Sequence, residues 1–205
     1  MAGGANTRRW RLPNGVARSP RSEYETGIYH VTSRGNRREP IYVDDFDRQR
    51  YLAMLGRVTT RMEWLCLSYC QMGNHVHLLI ETRLPNLGAG MHRLHGPYAQ
   101  YFNRRHRLSG HLFEDRFHDE PIKSDAHLWM VAPYIARNPV RAGLCAKSID
   151  WPWSSHASIL GRAPVPTWLA RDRLLSYFDS AGGRGLDHYA DLAELLPEPK
   201  GDSPL

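Results

Sequence analysis

The chain has 205 residues, 41% hydrophobic and 10% aromatic, which excludes a disordered protein and suffices for one buried core. No apolar run approaches membrane-spanning length, and three cysteines without metal-ligand spacing (Cys66, Cys70, Cys145) exclude a disulfide scaffold or a cysteine zinc knuckle. A net charge of +6 favours a polyanionic partner, so the expectation is a cytoplasmic protein that binds an acidic polymer and no membrane.

Taken from the N-terminus, residues 1–22 carry arginines and no acid among Gly and Pro, and read as a flexible basic arm. A strand is predicted over Ile28-Tyr29-His30-Val31-Thr32, ending in the turn Ser33-Arg34-Gly35-Asn36. Asp44 or Asp45 caps a helix of about residues 46–62, with Tyr51, Leu52, Leu55 and Val58 at helical spacing. Trp64 to Gln71 and Val76 to Thr82 are two strands joined by Met72-Gly73-Asn74. A second helix covers about 87–106, a short extended piece about 111–122, and a third helix starts at Ser124 or Asp125. Asn138-Pro139 is expected to stop that third helix or bend it sharply. Strand, helix, strand, strand, helix, strand is the ferredoxin-like βαββαβ order of an α+β fold with an antiparallel sheet, and a further helix packs on afterwards. The expected organisation is an arm over 1–22, one domain over 23–162, and an irregular acidic extension over 163–205.

Three groups carry chemistry. Asn74-His75-Val76-His77-Leu78 places two imidazoles on one face of a strand, close enough to share one cation and leave coordination positions open. With 11 histidines in the chain, roughly 0.6 such i,i+2 pairs arise by chance, so the pair needs support from elsewhere. The third helix carries Tyr134-Ile135-Ala136-Arg137-Asn138-Pro139, where Tyr134 and Asn138 lie one turn apart. That pair could set a nucleophile beside an amide ligand, or equally a core aromatic beside a C-cap. The segment from Tyr98 to Phe117 alternates aromatics with cations, a pattern suited to unpaired bases and phosphates but also to an amphipathic helix with a solvated basic face.

Together these groups resemble the REP-associated tyrosine transposases, within the single-tyrosine (IS200-like) branch of the HUH endonuclease superfamily. The resemblance runs from Gly27-Ile28-Tyr29-His30-Val31 to Trp151-Pro152-Trp153-Ser154-Ser155. It includes Arg34-Gly35-Asn36, Tyr101-Phe102-Asn103-Arg104-Arg105-His106, Gly110-His111-Leu112-Phe113 and Tyr134 to Gly143. It implies a ferredoxin-like core, His75, His77 and Asn138 as ligands of Mg2+ or Mn2+, and Tyr134 as the nucleophile on the following helix. The implied activity is cleavage and rejoining of single-stranded or hairpin (REP-like) DNA through a 5′-phosphotyrosine, by a monomer or a homodimer. Pro133 departs from a regular helix just before Tyr134, so Tyr98 and Tyr101 stand as alternative nucleophiles. Arg104, Arg105, Arg107 and Arg116 are the expected phosphate contacts, with Arg8, Arg9 and Arg11 reaching further along the strand. Two rivals remain: a hairpin DNA- or RNA-binding protein without catalysis, and a zinc hydrolase in which His111 or Glu81 joins His75 and His77.

Overall fold

A computed structural model describes residues 25–179 and 184–195. Four strands, β1 (Gly27–Arg34), β2 (Trp64–Gln71), β3 (His75–Thr82) and β4 (His118–Pro121), form one sheet in the order β2-β3-β1-β4, with every neighbouring pair antiparallel. With α1 (Asp45–Met62) between β1 and β2, and α2 (Leu87–His106) between β3 and β4, this is the expected ferredoxin-like core. The basic arm, with Arg8, Arg9 and Arg11, and the end of the acidic tail lie outside the described residues.

Each element follows from local chemistry. Asp44 starts α1 by accepting the Asp47 backbone N–H, and Tyr51, Leu55 and Val58 then recur on the buried side. In α2, Leu87, Met91, Leu94, Tyr98 and Phe102 make the buried stripe. Gly90 belongs to this helix because the Trp64 indole lies where a side chain would start. In β2 the register shifts between Cys66 and Ser68. This bulge lets Cys66 and Tyr69, an odd number of residues apart, enter the same core cluster.

The sheet is covered on both faces. Val31, Val76, Leu78 and Ile80 pack with α1 and α2. Leu67, Cys70 and Leu79 pack with Leu128, Val131, Ala132 and Ile135 of α3 (Asp125–Arg141). Ser124 caps α3 through the His127 N–H. Contrary to expectation, Pro139 does not end this helix, which also runs through Pro133. It closes instead at Gly143, whose φ of 68° suits glycine, with Leu144 N–H donating to the Pro139 carbonyl and Gly143 N–H to that of Val140. That pattern satisfies the last carbonyls and defines where the helix stops.

The extension after residue 162 is more regular than its Pro and Gly content predicts. After the short α4 (His156–Ile159) come α5 (Arg171–Phe178) and α6 (Gly185–Leu195). Leu174, Phe178 and Tyr189 from these helices join the cluster under α3. The loop residues on either side masked the helical spacing of those apolar positions. Trp129 Nε1–H of α3 donates to the Tyr177 carbonyl at 2.8 Å, and Arg173 makes two 2.9 Å contacts with Glu81 of β3. Among the described residues no helix is long and apolar enough to cross a membrane.

Candidate active site

The site forms where β1 and β3 pair beneath α3. Strand alternation gives His75 and His77 one face, and the register sets Arg34 opposite His75 and Thr32 opposite His77. The two imidazole centres are 5.0 Å apart with the rings nearly perpendicular. His77 is 1% exposed, and its Nδ1 lies 3.0 Å from His30 Nε2 and 3.3 Å from Thr32 Oγ1. Its other nitrogen, Nε2, is buried with no hydrogen-bond partner. His75 is partly exposed, and its Nδ1 lies 2.7 Å from Asn74 Oδ1. The Asn74 amide is itself oriented by donating to the Arg38 carbonyl at 2.9 Å.

The α3 helix brings Tyr134 to this pair. Its ring centre is 6.0 Å from that of His77 and 6.2 Å from that of His30, both edge-on, and the Arg141 guanidinium lies over the ring at 5.1 Å. Pro133 does not displace it, because the helix carries Tyr134 through without a break. Asn138, one turn on, donates from Nδ2 to the Tyr134 carbonyl at 3.0 Å, leaving its amide oxygen as the group able to act as a donor to a cation.

Burial sets the charge state. Desolvation, reinforced by Arg34, holds His75 down at about 4. Desolvation first, then His30, His75 and Arg34, hold His77 well below the ordinary range. Desolvation likewise holds His30 at about 4. All three imidazoles are therefore neutral near pH 7, the form in which an imidazole can bind a metal. The unpartnered buried Nε2 of His77 fits a cation as its missing partner. Among the described residues no group of three or more His, Cys, Asp or Glu side chains is disposed to hold a metal, so a cation here needs a donor of another type. A carboxamide oxygen such as that of Asn138 is a donor of that type, and two imidazoles with an amide would suit a divalent ion that keeps open positions.

The alternatives fall elsewhere. Tyr98 is fully buried in the α1/α2 layer, where its hydroxyl donates to the Ile41 carbonyl at 2.6 Å, and Tyr101 packs against the same cluster. Neither shares the sheet face of the histidines. Glu81 is occupied by Arg173 and by the Tyr177 hydroxyl at 3.2 Å. It sits four residues along β3 from His77, about 13 Å of extended chain. His111 is exposed on the segment facing α2. The donor set required for a zinc hydrolase is thus not brought together.

Of the expected phosphate contacts, Arg104, Arg107 and Arg116 are exposed. Arg105 is not available in the same way. It makes a two-pronged pair with Asp44 and a further contact with the fully buried Asp47, which His106 also meets at 2.8 Å. Arg105 therefore ties the end of α2 to the start of α1, a role that helical spacing alone could not separate from DNA contact. Conversely, sequence reading missed His30, Arg34 and Arg141, which border the histidines or Tyr134. Arg37 and Arg38 were missed too; both are exposed in the turn after β1, with left-handed φ of 55° and 62°. The alternation His30-Val31-Thr32-Ser33-Arg34 was the available signal, but it points to the site only once β1 is paired with β3.

A ferredoxin-like sheet thus carries two neutral histidines beneath a tyrosine-bearing helix. A family model described as transposase IS200-like matches residues 23–138, and the chain belongs to that family of transposases. The fold is similar to the solved structure of a REP-associated tyrosine transposase bound to a REP hairpin. The TM-score is 0.58 at 18% identity, covering 74% of this chain and 90% of that one. No curated protein matches the chain.

Proposed function

We propose that this transposase cleaves and rejoins single-stranded or hairpin DNA of the REP type, using Tyr134 as nucleophile and a divalent cation, Mg2+ or Mn2+, held by His75, His77 and Asn138. The observation that carries the reading is Tyr134 beside His77, 6.0 Å between ring centres, with the buried Nε2 of His77 lacking a partner. When bound, the cation would act as a Lewis acid on a non-bridging phosphate oxygen. In the cleavage step the Tyr134 oxygen attacks phosphorus in line with the 3′ oxygen. The O–P bond to tyrosine forms as the P–O3′ bond breaks, and the phenol proton leaves while the 3′ oxygen takes one up. The product is a 5′-phosphotyrosine and a free 3′-hydroxyl. Because one phosphoester replaces another, the reverse attack by a 3′-hydroxyl rejoins a strand without an external energy source.

Around this step the chain supplies positioning. Arg141 packs on the Tyr134 ring, and Arg34 sits opposite His75 where it adds positive charge beside the phosphate. Arg104, Arg107 and Arg116, with Arg37 and Arg38, would track the DNA backbone, and Arg8, Arg9 and Arg11 of the arm would extend that path. Tyr134 reaches His77 within a single chain, an arrangement a monomer can use.

The test is incubation of the protein with end-labelled hairpin oligonucleotides from the flanks of its own gene, with and without Mg2+ or Mn2+. A covalent protein–DNA band that needs metal and disappears in Tyr134→Phe is the expected result. Hairpin retardation without any adduct, for both flanks and both ions, would replace this reading with a non-catalytic binding protein.

A further inference from the structure

His30 is the one buried histidine beside the site that neither the nucleophile nor the ligand set uses. It is 8% exposed on β1, two residues from Thr32, and its Nε2 lies 3.0 Å from His77 Nδ1. The ring centres are 5.2 Å apart with planes within 19° of parallel. That separation is close to the nitrogen–nitrogen distance plus two ring radii, so both nitrogens lie on the line joining the centres. The contact therefore runs along an in-plane N–H and an in-plane lone pair, as a hydrogen bond requires, rather than between ring faces.

Such a contact holds one proton, and its side matters. If His30 donated, Nδ1 of His77 would spend its lone pair there, and the His77 proton would sit on Nε2, a buried donor without an acceptor. If His77 donates, Nδ1–H faces two groups that can both accept, His30 Nε2 and, at 3.3 Å, Thr32 Oγ1. Nε2 is then a buried lone pair, also without a hydrogen-bond partner, but one that a cation can satisfy where an N–H could not. The neighbouring ligand is arranged in parallel: His75 Nδ1 faces Asn74 Oδ1, an oxygen because the other end of that amide donates to the Arg38 carbonyl. His75 must then carry its proton on Nδ1, which leaves its Nε2 free for a ligand role.

We propose that His30 is a positioning residue that accepts the Nδ1 proton of His77 and so fixes the tautomer and ring orientation in which His77 Nε2 can bind a divalent cation. This rests on the metal reading of the site given above. A metal-bound histidine is ordinarily held through its second nitrogen by a carbonyl, carboxylate or water, and loss of that support weakens metal binding about 10–100-fold. Here a third imidazole takes the place of those acceptors.

The test has two independent readouts. Long-range 1H–15N spectra of metal-free, 15N-histidine-labelled protein report the His77 tautomer, and Mn2+ titration followed by electron paramagnetic resonance reports affinity. His30→Leu combined with Thr32→Val removes both acceptors, whereas His30→Gln keeps an acceptor at the Nε2 position. The expected result is the Nδ1–H tautomer in wild type and His30→Gln, with affinities within about threefold, and Mn2+ binding about 10–100-fold weaker in the double variant. An Nε2–H tautomer for His77 in the wild-type protein overturns the proposal without needing any variant to fold. So does a double variant that binds Mn2+ as tightly as wild type while His77→Ala does not, and that outcome leaves the metal reading intact. A wild-type protein that binds no divalent cation overturns both together.

Discussion

The two faces of the central sheet are built from the same strands and do opposite things. On the α1/α2 face, Val31, Val76, Leu78 and Ile80 are fully buried among apolar neighbours. On the other face, one residue along in each strand, the same β1–β3 pairing presents Thr32, Arg34, His75 and His77 beneath Tyr134. Because strand side chains alternate with a period of two, a rigid core on one face fixes the angular position of every functional group on the other. The lesson is that the precision of the site derives from the apolar face, whereas its chemistry derives from the polar one, and substitutions should separate the two.

The largest separation is expected from His75 and His77. Replacing either with alanine should lower the rate of adduct formation by roughly 10²-fold or more while hairpin binding stays within a few-fold. A variant that cleaves normally would remove that histidine from the site. On the opposite face Leu78→Ala should do the reverse, lowering stability by about 2–5 kcal/mol in denaturant titration while adduct formation per folded molecule is retained. Equal loss of activity and stability in both variants would show that the faces are not independent.

A smaller effect divides the arginines. Arg105→Ala should lower the unfolding midpoint in denaturant, because Asp47 is buried and loses a partner. It should leave the salt dependence of hairpin binding near its wild-type value. Arg104→Ala and Arg107→Ala should leave the unfolding midpoint in place and flatten the slope of log K against log salt by about one contact each. An unchanged slope would remove either residue from the DNA path.

The smallest effect is graded with pH. Burial holds His30 and His156 at about 4 in the folded chain against an ordinary value of 6.5, and holds His77 well below that ordinary value. Between those limits the unfolded chain binds more protons than the folded one, so stability is complete above about 6.5 and falls as pH drops toward 4. The urea midpoint should accordingly be lower at pH 5 than at pH 7. A flat profile would mean that these imidazoles are not buried in neutral form.

Much of this was readable from residues alone. The limits of α2, the capping of α1 and α3 and the strand order followed from apolar spacing, Asp44 and Ser124, because those signals are local. Tyr134 and Asn138 share a helical face, a spacing that fits a core aromatic beside a C-cap equally well, so the resemblance and not the spacing singled them out. What was not readable depends on partners distant in sequence. Arg105 looks like a DNA contact until Asp44 and Asp47 are brought to it, and His30 looks like a core residue until β1 pairs with β3. Pro139 looks like a helix stop, but the terminal turn at Gly143 satisfies the carbonyls beyond it. The helices after residue 170 were hidden because flanking loop residues outweighed three apolar positions whose partners lie under α3.

The central claim is that Tyr134, presented by α3 beside His75 and His77, becomes covalently joined to DNA. The most direct measurement is mass spectrometry of the trapped protein–hairpin adduct after nuclease trimming and trypsin digestion. The account predicts a nucleotide 5′-phosphate on the tryptic peptide 124–137, with fragment ions placing it on Tyr134. A nucleotide on any other tyrosine, or an adduct without a phosphotyrosine, would contradict it.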